Sequence, residues 1–131
     1  MVKSPEHPTS FAHRLRWARE RAGLTQLELG VRAGLEPKVA APRINQYENG
    51  VHEPRVETAQ ALADALGIPP AFLYTTDEEL AGLLLVWADL ESDERRKLLK
   101  SAEAQLKSQK AKKRASRSTK SSAKKAAKKS A

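Results

Sequence analysis

Apolar residues recur along this chain at helical spacing, and glycine or proline breaks the run at short intervals. Phe11, Leu15, Ala18 and Ala22 stand at i, i+4, i+7 and i+11, one face of a first helix that Thr9 or Ser10 can cap. Thr25 opens a second, since Glu28 three residues on completes a capping box; Leu29 and Ala33 share its inner face and Gly34 is its left-handed stop. Pro42 lacks an N–H and biases Ala41 away from helical angles, so the third helix is predicted to begin there and run to Gly50 with Ile44, Tyr47 and Glu48 inward. Glu36 to Ala41 would then be an insert, in which Glu36-Pro37 can start a separate single turn. Val56, Ala59, Leu62, Ala63 and Leu66 predict a fourth helix stopped by Gly67, and Ile68 to Tyr74 a short fifth with proline at its start.

Beyond Tyr74, Thr76-Asp77-Glu78-Glu79 reads as another capping box, opening a helix with Leu80, Leu83, Leu84, Trp87 and Leu90. Ser92-Asp93-Glu94 can cap a further helix with Leu98, Leu99, Ala102 and Leu106, and the two predict a helical hairpin over residues 76–106. Leu85 and Val86 add apolar surface on other faces, more than one partner helix covers. Two readings stay open: extra core against the preceding helices, or a dimer interface. From Lys107 to Ala131 there is no large apolar residue, so this stretch is expected to be disordered. The organisation expected is a flexible arm at 1–9, an all-α domain at 10–75, the hairpin, and a Lys-rich tail at 107–131.

Charge adds a division that the apolar pattern does not show. The formal net charge is +8, but residues 1–77 balance 9 basic against 9 acidic side chains and residues 101–131 hold 11 against 1. The excess cation therefore sits in the tail, and basic composition alone would not have marked the folded part as a nucleic-acid binder. There is no cysteine, which removes disulfides, thiolate chemistry and Cys-type zinc sites. Residues 1–10 lack the apolar run of a signal peptide, and Leu80 to Leu90 is too short to span a bilayer. A soluble cytoplasmic protein of the bacterial nucleoid is expected, with no membrane partner. His7, His13 and His52 are scattered, without metal-ligand or triad neighbours, and no phosphate-binding loop is present. No enzyme activity, metal or cofactor is expected.

Gly23-Leu24-Thr25-Gln26 and Ile44-Asn45-Gln46-Tyr47-Glu48-Asn49-Gly50 resemble the two ends of the lambda-repressor/Cro-like, or XRE, helix-turn-helix pattern. The likeness runs from about Phe11 to Tyr74, and departs from the pattern in about four extra residues between Gly34 and Ile44 and in the apolar Leu27 beside the leading glutamine. It implies a five-helix DNA-binding domain, followed here by the hairpin and the basic tail. It also implies a partly buried ion pair between Arg19 and Glu48, and a close approach of two helix backbones at Gly30. The tail resembles in composition those of linker-histone-like bacterial proteins.

Carried over residue by residue, the resemblance puts Ala41, Pro42, Arg43 and Gln46 on the base-reading face, with Asn45 at its edge. Thr25, Gln26, Lys38, Asn49, His52 and Arg55 become phosphate contacts. Since Ala41 and Pro42 have no side-chain hydrogen bond to offer, Arg43 to guanine and Gln46 to adenine are the specific pairs expected. The function implied is a sequence-specific transcriptional regulator of double-stranded DNA, a repressor, acting as a homodimer, with residues 78–106 as a surface for a protein partner. A chromatin-like packaging protein driven by the tail, and the antitoxin of a toxin pair, are the alternatives.

Overall fold

Seven helices and no strand form among residues 11–129, which the computed structural model describes. The expected arm and the Thr9 or Ser10 cap lie outside them. In order the helices are α1 (Phe11–Arg21), α2 (Gln26–Arg32), α3 (Pro37–Glu48), α4 (Val56–Leu66), α5 (Pro70–Tyr74), α6 (Glu78–Asp89) and α7 (Ser92–Lys129). The chain divides into two compact units, up to Asp89 and from Leu90 onward. That boundary falls inside the segment expected to be one hairpin.

The first unit closes around Leu15, Leu29, Ile44, Leu62 and Leu73, all fully buried, one from each of α1 to α5. Burying a side chain of this size contributes about 1.5–3 kcal/mol, so these five dominate what the small core can supply. Phe11, Ala18, Ala59, Ala63 and Phe72 fill in around them. Ala22 and Val56 had been assigned to apolar faces but are exposed. Ala22 follows the last residue of α1 and Val56 is the first of α4, positions where a helix has already left, or not yet reached, the packed layer.

Glycines end four of the turns. Gly34 sits at φ +91, and the N–H groups of Gly34 and Leu35 donate to the carbonyls of Val31 and Gly30. The left-handed stop at the end of α2 therefore forms as the sequence implied. Gly30 has a different use: a Cβ built on it would lie 2.6 Å from Ala40 Cβ and 2.9 Å from Ala40 Cα. Only a residue without a side chain lets α2 and α3 come this close.

The third helix departs from expectation. It starts at Pro37, with Glu36 extended before it and Pro37 in its first turn, and Pro42 lies inside. The supposed insert is one more turn of the same helix. Pro37 suits a first turn, whose N–H groups have no intrahelical acceptor in any case. Burial of Ala40 against Gly30 holds the added turn in place. Pro42, five residues on, withholds only the N–H that the Lys38 carbonyl would have accepted.

Arg14 is buried, although its spacing puts it largely off the face of Phe11, Leu15 and Ala18. Its Nε donates to the Thr75 carbonyl at 2.9 Å, its Nη2 to Glu78 Oε1 at 3.2 Å, and its guanidinium lies 5.1 Å from the Phe72 ring centroid. One arginine thus ties α1 to α5 and to the first turn of α6. The cap of α6 is Asp77 rather than Thr76, since Asp77 Oδ1 accepts from the N–H groups of Glu79 and Leu80 at 3.0 Å each. In α6 the residues facing the core are Ala81, Leu84 and Leu85. Leu80, Leu83 and Val86 are left outward, 44–53% exposed.

The second unit holds α7, 38 residues long, where disorder had been expected from Lys107. Ala, Lys, Arg and Gln are strong helix formers, and from Ser92 onward neither glycine nor proline interrupts them. The helix continues on propensity alone, because every described side chain from Lys107 on is exposed.

Candidate nucleic-acid interface

The two helices Gln26–Arg32 and Pro37–Glu48 and the turn between them are fixed by three devices. The first is the capping box: Thr25 Oγ1 accepts from the Glu28 N–H at 3.0 Å, and Glu28 Oε1 from the Thr25 N–H at 3.1 Å. The bond from the Thr25 N–H stabilises the ionised carboxylate and is the chief cause that holds Glu28 below the usual glutamate range. The box is therefore complete above that range and is lost as pH falls through the lowered value.

The second device is the Gly30 to Ala40 approach. The third is the ion pair. Arg19 donates from Nε to Glu48 Oε2 at 2.6 Å, from Nη2 to Glu48 Oε1 at 3.0 Å, and from Nη1 to the Leu24 carbonyl at 2.9 Å. The Glu48 side chain is 3% exposed and that of Arg19 14%. The hydrogen bond to Glu48 raises the guanidinium pKa further from neutrality. The fork joins α1, the last turn of α3 and the residue just before the Thr25 cap. The orientation of α3 is thereby set from both of its ends.

Held this way, α3 buries Ala40, Ile44 and Tyr47 and turns the other side out. Lys38, Pro42, Asn45, Gln46 and Asn49 are exposed and follow one another at i, i+4, i+7, i+8 and i+11, a continuous outward stripe. Arg43 and Gln46 line a cleft of about 350 Å³ together with His52, Arg55 and Thr58. Four of the residues singled out in the sequence thus meet at one place, on α3 and on the loop that leads into α4.

A second group gathers on the other flank. The Gln26 amide makes long contacts from Nε2, 3.3 Å to Asn45 Oδ1 and 3.4 Å to Glu48 Oε1, and Asn49 Nδ2 donates to the same Asn45 oxygen at 3.0 Å. Asn45 has its carbonyl engaged, which leaves its own amide N–H groups as donors. Thr25 is exposed, with its hydroxyl oxygen accepting within the box. Ala41 is half-buried and stands least well placed of the expected base-reading residues. The outward position of Lys38 was hidden by placing the helix start at Pro42. The Glu36-Pro37 dipeptide, an extended residue followed by a first-turn proline, was the signal for the true start.

A buried-fork-and-box pair of helices that presents a polar stripe on the second is a helix-turn-helix, the class of fold that places a helix in the DNA major groove. The helix-turn-helix family model matches residues 15–73. A solved structure titled "Crystal structure of transcriptional regulator BswR" is similar to 75% of this chain and to 97% of its own, at 38% identity and a TM-score of 0.69. The chain belongs to the XRE-type helix-turn-helix family. Among curated proteins, none matches it. Among the described residues, no helix is long and apolar enough to cross a membrane, and no cluster of His, Cys, Asp or Glu could hold a metal.

Proposed function

We propose that this protein is a sequence-specific transcriptional repressor that lays the outward stripe of α3 in the major groove of duplex DNA. The observation that carries the reading is the meeting of Arg43, Gln46, His52 and Arg55 at one cleft beside a helix locked by the Arg19–Glu48 fork. Gln46 on the stripe and Arg43 beside it, at the cleft the two share, are the pairs for adenine and guanine, and Asn45 and Pro42 lie next to Gln46 on the stripe. Lys38 and Asn49 at the two ends of the stripe, and His52 and Arg55 beside it, are the phosphate contacts, and Thr25 and Gln26 face a phosphate at the start of α2, where free backbone N–H groups favour an anion. The similar solved regulator supports the assignment to transcription.

Selection of bound DNA from a random pool gives the operator. On that operator Arg43→Ala and Gln46→Ala each cost about 1–3 kcal/mol, with little change on random duplex. Equal losses on both duplexes would reduce the two residues to phosphate contacts.

The protein acts as a two-fold dimer in this reading. Support comes from α6, which spends Ala81, Leu84 and Leu85 on the core and leaves Leu80, Leu83 and Val86 outward. A dimer of this fold reads half-sites about 34 Å apart, so the operator is near-palindromic. Leu80→Glu with Leu83→Glu in the full chain gives a folded monomer in sedimentation, with weaker operator binding. A variant that still sediments as a dimer would move the interface elsewhere.

A further inference from the structure

The distribution of charge around α7 is not that of a solvated tail. At about 100° per residue, Lys110, Lys113, Arg114, Arg117, Lys120 and Lys124 fall within one arc of about 120°. Ser108, Ala111, Ala115, Ser118, Thr119 and Ser122 occupy the opposite arc, small and uncharged. All twelve are exposed, and of the described basic residues between Lys110 and Lys124 only Lys112 departs from the pattern. A tail selected for solubility or loose charge alone has no reason to sort its cations onto one side of a helix.

That face opposes the helix that makes it. Lys110 and Arg114, Lys113 and Arg117, and Lys120 and Lys124 are like-charge neighbours at i, i+4, which destabilise a helix as opposite pairs stabilise it. Past Glu103 the sequence has no aspartate or glutamate to relieve them. The strong helix propensity of the segment is thus set against self-repulsion, and an array of anions on that side removes the repulsion. Duplex DNA is such an array, with one charge per about 1.7 Å of axis, and the stretch from Lys110 to Lys124 is about 21 Å long.

We propose that the C-terminal half of α7 is a second DNA-binding element, a helix whose basic face lies along the phosphates and whose helicity the duplex completes. It rests on the preceding reading only in that the chain meets DNA. It needs no operator, because cations spaced along one face can pair with the phosphates of any duplex. DNA would then bind the chain at two elements of different kind, one choosing sequence and the other adding sequence-independent affinity.

The test separates a helical face from a flexible polycation of the same charge. Ala115→Pro lies opposite the basic arc and alters no charge, yet it breaks the helix between Arg114 and Arg117; Ala115→Ser is the control. Full-length proteins are titrated with a random-sequence duplex across a salt series, and the helical circular dichroism is read with and without the duplex. The parent and the serine variant gain helix signal on adding DNA. If six cations engage together at about 0.9 each in the slope of log affinity against log salt, loss of the three beyond the break flattens that slope by about 2 to 3. A proline variant with the parent's slope, or a parent with no gain in helix signal, overturns the proposal. So does a gain with polyglutamate and none with the duplex, which would make an acidic protein the partner. The operator-to-random ratio, read in the same series, reports separately on α3: its collapse in the parent would sink the repressor reading and leave this result standing.

Discussion

Glu48→Ala lowers the stability of the helix-turn-helix unit by about 3 kcal/mol, seen as a lower urea midpoint with an unchanged denaturant slope. Removing one partner of a buried pair strands the other, and Arg19 keeps only the Leu24 carbonyl and the 14% of its side chain that reaches water. That residual exposure places the loss at the low end of the range for broken buried pairs. Replacing both partners, Arg19→Met with Glu48→Leu, recovers most of it, because the desolvation cost of the two charges disappears together with their attraction. Operator affinity is not recovered in the double variant, since the apolar pair has no fork to set the angle of α3. A loss below about 1 kcal/mol for Glu48→Ala would class the pair with ordinary surface bridges. A double variant that binds operator like the parent would show that packing alone aims α3.

Gly30→Leu costs about 3 kcal/mol or more and abolishes operator binding before it abolishes folding. A single Cβ there already meets Ala40 at 2.6 Å, and the next atom, at 2.9 Å, is backbone that no rotamer change can withdraw. Alanine is the milder version, in which a helix-propensity gain of about 1 kcal/mol offsets part of the clash. Ala40→Gly in the Gly30→Ala background rescues in part, because it clears the closest contact and leaves the contact to Cα. A midpoint for Gly30→Leu within about 0.5 kcal/mol of the parent would mean that α2 and α3 do not lie this close in solution.

How much of this was legible in the sequence depended on whether the signal was local. The Thr25 and Glu28 box, the Gly34 stop and the heptad-like positions of Leu15, Leu29 and Leu62 are decided within one turn of helix, and each could be read from spacing. The Arg19–Glu48 pair is separated by 29 residues and was reached only through the family resemblance. Arg14 was missed because its partners, Thr75 and Glu78, lie more than 60 residues away and no periodicity announces a buried arginine. The start of α3 was misplaced for the opposite reason: a local rule, that proline begins or breaks a helix, was given more weight than the burial of Ala40, which spacing does not show. In α6 the pattern gave the helix but left open which of its apolar residues meet the core. Leu80, Leu84 and Trp87 align well enough by spacing, but the core takes Ala81, Leu84 and Leu85.

The two prolines of α3 also act on the chain before it folds. Each fixes φ near −65° in the unfolded ensemble as well as in the helix, so Pro37 and Pro42 leave fewer conformations to be surrendered when the first turns form. The folded helix gives up one N–H to the Lys38 carbonyl and begins from a stiffer chain in return. If α3 enters the groove as proposed, its leading turns are set in advance and meet DNA without having to be ordered. The heat-capacity change on binding the operator then carries no contribution from folding α3, and reports the surface removed from water at the interface.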